Sequence, residues 1–205
     1  MPSRNTIKEY EPQTYYHIYN RGVEKRNIFL DKQDYVVFLS YIKRHLGIAV
    51  VVNQQNAHAY PNYHQYLKLL AFCLMPNHFH MLIYQDLDET AITRLIRSVC
   101  TAYTMYFNKK YKRVGHLFQG RFKASRISSD AYVQHISRYI HMNPNNYMNY
   151  KWSSLPYYLS KQSVDWVDPT LIINMFNSKE EYFLFVKDYE GQKEILEELK
   201  HELAN

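Results

Sequence analysis

Two apolar segments joined by a short turn limit the possible folds of this chain more than any other feature. Residues 67–74 (LKLLAFCL) form a long apolar run, which is typical of a strand covered on both faces. Pro76 and Asn77 then favour a turn, and residues 78–84 (HFHMLIY) read as a second strand. The pattern therefore predicts two consecutive strands at the centre of the protein.

Amphipathic helices and two further β-prone runs, at 15–20 and near 122–127, flank these strands. Each helix is expected to begin after a capping side chain and to place its apolar residues on one face. The caps are Asp31, Asp88 and either Ser129 or Asp130; the apolar stripe of the first helix is Tyr35, Phe38, Leu39, Ile42 and Leu46, and that of the second is Ile92, Leu95, Ile96, Val99, Tyr103, Tyr106 and Phe107. The third helix must stop near Asn143, because Pro144 cannot continue it.

The order of these elements is strand, helix, strand, strand, helix, strand, helix. It predicts an α+β sandwich, in which helices pack on an antiparallel sheet, and a split βαβ topology of the ferredoxin-like kind is the simplest that fits. We expect residues 1–160 to form this domain and residues 161–205 to form a helical C-terminal extension that packs on it or trails from it. Residues 52–64 are polar and contain a proline, so they are predicted to form a loop.

The composition is basic and rich in aromatic side chains. Among 205 residues, 25 Lys and Arg exceed 19 Asp and Glu, which gives a formal charge of +6, and 16% of the residues are aromatic. Cations attract phosphates and exposed rings stack on bases, so this balance suits a nucleic-acid partner. A basic protein with a tyrosine-rich core fits the composition equally well. A disordered or collagen-like chain is excluded, since 46% of the residues are hydrophobic and only 5 are glycine.

Cellular compartment is indicated by cysteine usage and by the absence of targeting segments. Cys73 and Cys100 lie in apolar stretches and are expected to be buried free thiols. The first residues lack the apolar core of a signal peptide, and no apolar run is long enough to span a bilayer. We therefore expect a cytoplasmic protein with no membrane partner.

A His-x-His pair, His78 and His80, is the sharpest local motif. Residues i and i+2 of a strand point to the same face, so the two imidazoles can converge on one ion, while Phe79 and its alternate neighbours pack on the other face. Ten histidines produce such a pair by chance roughly 0.5 times in a chain of this length, so the pair alone leaves a structural role open.

A second group of polar residues shares one face of the third predicted helix. Tyr139 and Asn143 are four residues apart, and His135 lies one turn earlier. The amide oxygen of Asn143 could complete a mixed set of nitrogen and oxygen ligands, which suits Mg or Mn when phosphate supplies further oxygens. Spacing alone does not distinguish Tyr139 from Tyr132 or Tyr147 as a reactive residue.

Five motifs in order resemble one family. Residues 75–80 (MPNHFH) resemble the signature of single-tyrosine HUH transposases, where U is a bulky apolar residue. The rest of the chain resembles the branch of REP-associated tyrosine transposases. The further motifs are residues 16–22 (YHIYNRG), 115–123 (GHLFQGRFK), 138–144 (RYIHMNP) and 152–154 (WSS).

The resemblance implies an RRM-like sheet and cleavage of single-stranded DNA near a hairpin. It implies that His78, His80 and Asn143 bind a divalent ion, Mg or Mn, and that Tyr139 is the nucleophile. Attack by Tyr139 would form a 5′-phosphotyrosine and free a 3′-hydroxyl. The general base is not identified, and His135 and His141 are candidates. Some relatives are dimers whose tyrosine helix completes the partner's site, so both a monomer and a homodimer are compatible with the sequence.

Basic and polar residues near these motifs are the expected contacts to DNA. Clustered cations near the third motif favour phosphate binding, although a solvated basic face would have the same composition. Phe118 and Phe122 could stack on bases or pack in the core. The predicted DNA-binding residues are Asn20, Arg21, Arg113, His116, Gln119, Arg121 and Lys123, with Lys109, Lys110 and Lys112 as further phosphate contacts.

Three other interpretations are consistent with part of the sequence. A replication initiator or relaxase uses the same metal pair, but residues 115–121 and 152–154 disfavour it. A β/α-barrel metallohydrolase is disfavoured because 205 residues are few for that barrel. A domesticated DNA-binding protein or regulator would keep the fold and cut little, which the intact set of His78, His80, Tyr139 and Asn143 disfavours. The resemblance therefore implies a metal-dependent, tyrosine-using DNA endonuclease and strand transferase.

Overall fold

Four antiparallel strands form the central sheet. The computed structural model describes residues 10–48, 60–160 and 163–191. The strands are β1 (Thr14–Arg21), β2 (Leu67–Met75), β3 (His78–Gln85) and β4 (Lys123–Ile127), in the order β2-β3-β1-β4. This is the order of the split βαβ arrangement, so the prediction of an α+β sandwich with an antiparallel sheet is confirmed. Most of the predicted loop at 52–64 and the last residues of the chain lie outside the described ranges.

Two helices, α1 (Lys32–Leu46) and α2 (Ala91–Lys110), cover the first face of the sheet. Asp31 caps α1 as predicted, because its side chain accepts a hydrogen bond from the Asp34 amide. The predicted apolar stripes pack against alternate residues of β3, and all their members are buried except Leu39 and Tyr106, which are half-buried. The members of this core from β3 are Phe79, Met81 and Ile83.

A third helix, α3 (Asp130–Met142), covers the second face, and Ser129 rather than Asp130 is its cap. Three short helices follow it, namely α4 (Leu155–Leu159), α5 (Thr170–Ile173) and α6 (Lys179–Lys187). They share a second hydrophobic core with α3, β2 and β3. Both faces of the sheet are therefore covered, which explains the uninterrupted apolar sequence of β2.

The Trp-Ser-Ser motif lies along the outer edge of β2. The carbonyl oxygen of Trp152 accepts a hydrogen bond from the Leu74 amide, and the Ser154 amide donates to the Phe72 carbonyl oxygen. The Ser154 hydroxyl also accepts from the Phe72 amide at 2.8 Å. The motif therefore satisfies backbone groups that would otherwise be exposed at a sheet edge.

Within the described ranges, both cysteines are free thiols as predicted, but only Cys73 is buried, whereas Cys100 is half-buried. No helix in that part of the chain combines the length and the apolar character needed to cross a lipid bilayer.

Candidate active site

The two histidines of β3 lie side by side at one end of the sheet. Their ring centroids are 4.9 Å apart, and the rings are nearly perpendicular. Two imidazoles that bind one ion at roughly 2.0–2.2 Å have centroids roughly 5 Å apart. His78 is paired across the sheet with Arg21, and His80 with Tyr19. The strand geometry thus brings both imidazoles to the position that the His-x-His spacing predicts.

Tyr139 of α3 lies over the ring of His80. Its ring centroid is 5.4 Å from that of His80, in an edge-to-face arrangement, and only 4% of the residue is exposed. The side chain of Asn143, one helical turn later, forms a hydrogen bond with the Tyr139 hydroxyl. The structure therefore brings His78, His80, Tyr139 and Asn143 together, although they come from two separate elements.

The polar atoms around His78 suit a bound cation. Nδ1 of His78 is 2.6 Å from the Asn77 Oδ1 and must donate to it, because an amide oxygen only accepts. Nε2 of a neutral His78 then carries a lone pair, and it faces the Asn143 Oδ1 at 3.2 Å. In an octahedral metal site, two neighbouring ligand atoms that each lie about 2.1 Å from the ion are about 3.0 Å from each other, which is close to the observed distance.

Two lone pairs at this distance repel each other unless a proton or a cation lies near both. The residues present therefore fit a divalent ion held by two imidazoles and one amide oxygen. Across the described residues, no group of three or more His, Cys, Asp or Glu side chains offers an alternative metal site.

Burial raises the pKa of Tyr139 well above that of an ordinary phenol. The hydrogen bond from Asn143 and the charge of Arg21 act in the opposite direction but do not offset burial. At neutral pH the phenol is therefore protonated, and it needs electrostatic help to act as a nucleophile.

His17 of β1 contacts the site but was missed by sequence reasoning. Its Nε2 atom is 2.9 Å from Nδ1 of His80, and its ring lies 6.0 Å from that of Tyr139. Complete burial lowers the pKa of His17 to about 3, so the ring is neutral at physiological pH. Neighbouring residues of a strand point to opposite faces, so the sequence could have placed His17 on the face opposite to Tyr16 and Ile18. Its contact with His80 depends on the pairing of β1 with β3, which the sequence does not show.

The two candidate general bases do not lie at the tyrosine hydroxyl. His141 is completely buried, and its two ring nitrogens are each 2.7 Å from a hydroxyl, those of Tyr182 and Ser154. His135 is on the exposed side of α3, where its Nδ1 accepts a hydrogen bond from Arg138 at 2.7 Å. His135 and Tyr139 were predicted to share one face of the helix. In the structure Tyr139 is buried against the sheet, whereas His135 is exposed, so the two side chains do not meet.

A basic loop between α2 and β4 lies beside the site. The Gln119 amide donates to the Arg21 carbonyl oxygen at 2.8 Å, and the Val23 amide donates to the Leu117 carbonyl oxygen at 2.9 Å. Gly120 has φ +83°, a left-handed conformation that glycine adopts without strain. These bonds fix the loop against the end of β1. Arg21, which holds the loop there, is two residues from Tyr19, the strand partner of His80.

The predicted DNA contacts, which lie on β1, on β4 and in the loop between α2 and β4, differ in exposure. His116, Gln119 and Arg121 are exposed, whereas Arg21, Arg113 and Lys123 are half-buried. Asn20 is buried, and its side chain bonds to the Arg21 amide and the Gly120 carbonyl oxygen, so it shapes the loop.

Three further residues considered for DNA contact have structural partners instead. Phe118 and Phe122 belong to the first hydrophobic core. Lys110 forms ion pairs with Asp31 at 2.7 Å and with Asp34 at 2.8 Å. Lys110 is therefore neutralised by carboxylates and is a poor phosphate contact, which corrects the expectation drawn from the basic run.

Comparison with known proteins gives the family. The model of the IS200-like transposase family matches residues 12–143, which include every strand, α1 to α3 and the four residues of the candidate site. The chain therefore belongs to the IS200-like transposase family, and its general function is that of a transposase. No curated protein sequence matches it.

One solved structure shows the same fold. A REP-associated tyrosine transposase bound to a REP hairpin matches with a TM-score of 0.56 at 16% identity, covering 82% of this chain and 94% of that one. A candidate transposase from Deinococcus radiodurans R1 matches with a TM-score of 0.38 at 12% identity, covering 66% of this chain and 93% of that one. The first match confirms the predicted fold.

Proposed function

We propose that this protein is a metal-dependent endonuclease and strand transferase that acts on single-stranded DNA at hairpins. The observation that carries the proposal is the meeting of Tyr139 with His78, His80 and Asn143 at one end of the sheet. A phenol beside two imidazoles and an amide oxygen can serve a phosphoryl-transfer reaction. A purely structural cluster would not need the Asn143 oxygen to face the lone pair on Nε2 of His78, because two lone pairs repel each other.

His78 and His80 would hold a Mg or Mn ion with Asn143 Oδ1 as the third protein ligand. When bound, this ion supplies Lewis-acid polarisation of the scissile phosphate. The Asn143 side chain also holds the Tyr139 hydroxyl, so one residue aligns both the ligand set and the nucleophile. The charge of Arg21 favours the ionised phenol and an approaching phosphate alike.

In the cleavage step, the Tyr139 oxygen attacks phosphorus while the bond from phosphorus to the 3′ oxygen breaks. The phenol loses its proton, the departing 3′ oxygen gains one, and the 5′ phosphate becomes linked to Tyr139. A 3′-hydroxyl can later attack this phosphotyrosine and displace the phenol. Because the phosphodiester energy is retained in the covalent link, strand transfer needs no ATP.

Hairpin DNA is proposed as the substrate from two observations. The structural relative described above was solved with a REP hairpin, and the motifs of this chain resemble that branch. The exposed and half-buried cations beside the site provide phosphate contacts for such a substrate. His116, Gln119 and Arg121 are the exposed members of the predicted contacts, and we propose that they bind it.

Removing the phenol oxygen tests the nucleophile directly. We expect Tyr139→Phe to abolish the covalent protein–DNA adduct with labelled hairpin oligonucleotides and Mn²⁺, because no other group in this position can form the ester. Hairpin affinity should change less than threefold, since the ring is retained. Denaturing gels measure the adduct, and a binding assay measures affinity.

Tyr132→Phe is the matched control, because Tyr132 is on the same helix and should leave the adduct unchanged. An undiminished adduct with Tyr139→Phe would remove Tyr139 from the mechanism. Hairpin binding by the unmodified protein without any adduct would instead support a DNA-binding regulator.

A further inference from the structure

The contact between His17 and His80 has the geometry of a well-aligned hydrogen bond. The two nitrogens are 2.9 Å apart, the ring planes differ by only 17°, and the centroids are 5.0 Å apart. Two coplanar imidazoles joined edge to edge by such a bond have centroids about 5 Å apart, whereas stacked rings would be closer. The rings therefore lie side by side, with Nε2 of His17 directed at Nδ1 of His80.

The direction of this hydrogen bond determines whether His80 can bind a metal. If His17 donates, neutral His80 carries its own proton on Nε2, and that nitrogen has no free lone pair. If His80 donates from Nδ1, its Nε2 carries the lone pair that can bind a cation. Only the second arrangement is compatible with the ligand role of His80.

His78 is held in the same way by a different group. Its Nδ1 donates to the Asn77 Oδ1, which leaves its Nε2 facing Asn143. Both imidazoles of the pair thus have Nδ1 engaged by a neighbour. Metal-binding histidines usually donate their second ring nitrogen to such a partner, which fixes the orientation and the tautomer of the ligand.

We propose that His17 is a positioning residue that accepts the Nδ1 proton of His80 and thereby keeps Nε2 of His80 available to the divalent ion. This inference rests on the proposed function, because it assumes that His80 is a ligand. His17 is fully buried on β1, directly across from β3, so the strand pairing holds it at a fixed distance. It touches neither DNA nor the ion, and it acts only through His80.

The test compares Mn²⁺ binding by electron paramagnetic resonance in the full chain, using Mn²⁺ alone as the probe. We expect His17→Leu to weaken Mn²⁺ affinity about 10–100-fold, as loss of such a partner typically does. His17→Gln should restore affinity to within about threefold, because its amide oxygen can accept the same proton. His45→Leu is the matched control, since His45 is also buried but bonds to the Pro61 carbonyl oxygen on another element.

A second measurement does not depend on the stability of a variant. In ¹⁵N spectra of the Mg²⁺-saturated wild-type protein, we expect the proton on Nδ1 of His80 and a nitrogen–nitrogen coupling across the hydrogen bond to His17. A proton on Nε2 of His80, or the absence of that coupling, would overturn the inference.

The outcomes separate this inference from the proposed function. If the wild-type protein binds Mn²⁺ and His17→Leu binds it equally well, the role of His17 is refuted and the proposed function stands. If the wild-type protein does not bind Mn²⁺, both are refuted. Weak binding by His17→Leu with recovery in His17→Gln supports both.

Discussion

At the scale of single residues, Asn143 connects two requirements of phosphoryl transfer. Its side chain contacts both the Tyr139 hydroxyl and Nε2 of His78. A helix places residues i and i+4 on one face, so the position of Tyr139 fixes that of Asn143. The two histidines are on β3, whereas Tyr139 and Asn143 are held by α3. Replacing either histidine should therefore change the metal dependence of DNA cleavage without moving Tyr139.

His78→Ala tests that expectation. We expect DNA cleavage to fall at least 100-fold and to lose its dependence on added Mn²⁺, because one of the three proposed ligands is gone. Cleavage is measured against Mn²⁺ concentration and in EDTA, with circular dichroism to confirm folding. His64→Ala serves as the control, since His64 is exposed and bonds to the Leu46 carbonyl oxygen. Normal cleavage by the variant in EDTA would contradict the metal site.

The residue pattern predicted the location of the site only in part. The i, i+2 spacing of His78 and His80 was sufficient to place them on one face of a strand. Selecting Tyr139 among 21 tyrosines required a resemblance, because spacing alone does not distinguish it from Tyr132 or Tyr147. His17 is 63 residues from His80, and their contact depends on a strand register that the sequence does not specify.

At the scale of elements, a charged cluster joins the start of α1 to the end of α2. Asp34 is buried, and its carboxylate accepts hydrogen bonds from Lys110 at 2.8 Å and from the Tyr111 hydroxyl at 2.7 Å. It also accepts from the Leu30 amide at 2.8 Å. Burial alone raises the pKa of Asp34, but Lys110 and the other donors outweigh burial and hold the pKa below its usual value.

We expect Asp34→Asn to lower the free energy of unfolding by about 1–3 kcal/mol at pH 7, because charge-assisted hydrogen bonds are lost. The folded-state pKa is lowered, so the stabilisation is complete above the unfolded pKa of about 3.9 and is lost as pH falls through the folded value. The difference between wild type and variant should therefore shrink in acid. Urea unfolding of both proteins at several pH values measures this difference in the free energy of unfolding. Asp130→Asn is the control, because Asp130 is exposed. A difference that grows in acid would contradict this assignment.

The elements themselves were largely predictable from local patterns. Periodic apolar residues and capping side chains located α1, and the turn at Pro76 and Asn77 located the start of β3. Lys110 was misjudged because its carboxylate partners are more than 70 residues away along the chain. Non-local ion pairs of this kind leave no periodic signal in a sequence.

At the scale of the whole molecule, several basic side chains lie near the end of the sheet that holds the site. Arg21 and Lys123 lie on neighbouring strands there, and Arg121 is exposed on the adjoining loop. Nucleic-acid binding through such cations releases counterions, so affinity should fall steeply with salt.

Arg121→Ala should weaken hairpin binding and reduce the slope of log affinity against log salt concentration by about 0.7–1, as expected for one lost phosphate contact. Fluorescence anisotropy at several salt concentrations measures the slope. Lys68→Ala is the control, because Lys68 lies at the opposite end of the sheet and is paired with Asp168. An equal change in slope for both variants would indicate that binding responds only to net charge.

The helix that carries Tyr139 is anchored behind the sheet by His141. That imidazole bridges Ser154, at the edge of β2, and Tyr182 of α6. Tyr139, His78, His80 and Asn143 therefore meet within one copy of the chain. Under the proposed chemistry, this site would not need the tyrosine of a second copy, and the severed DNA strands would move between breakage and rejoining.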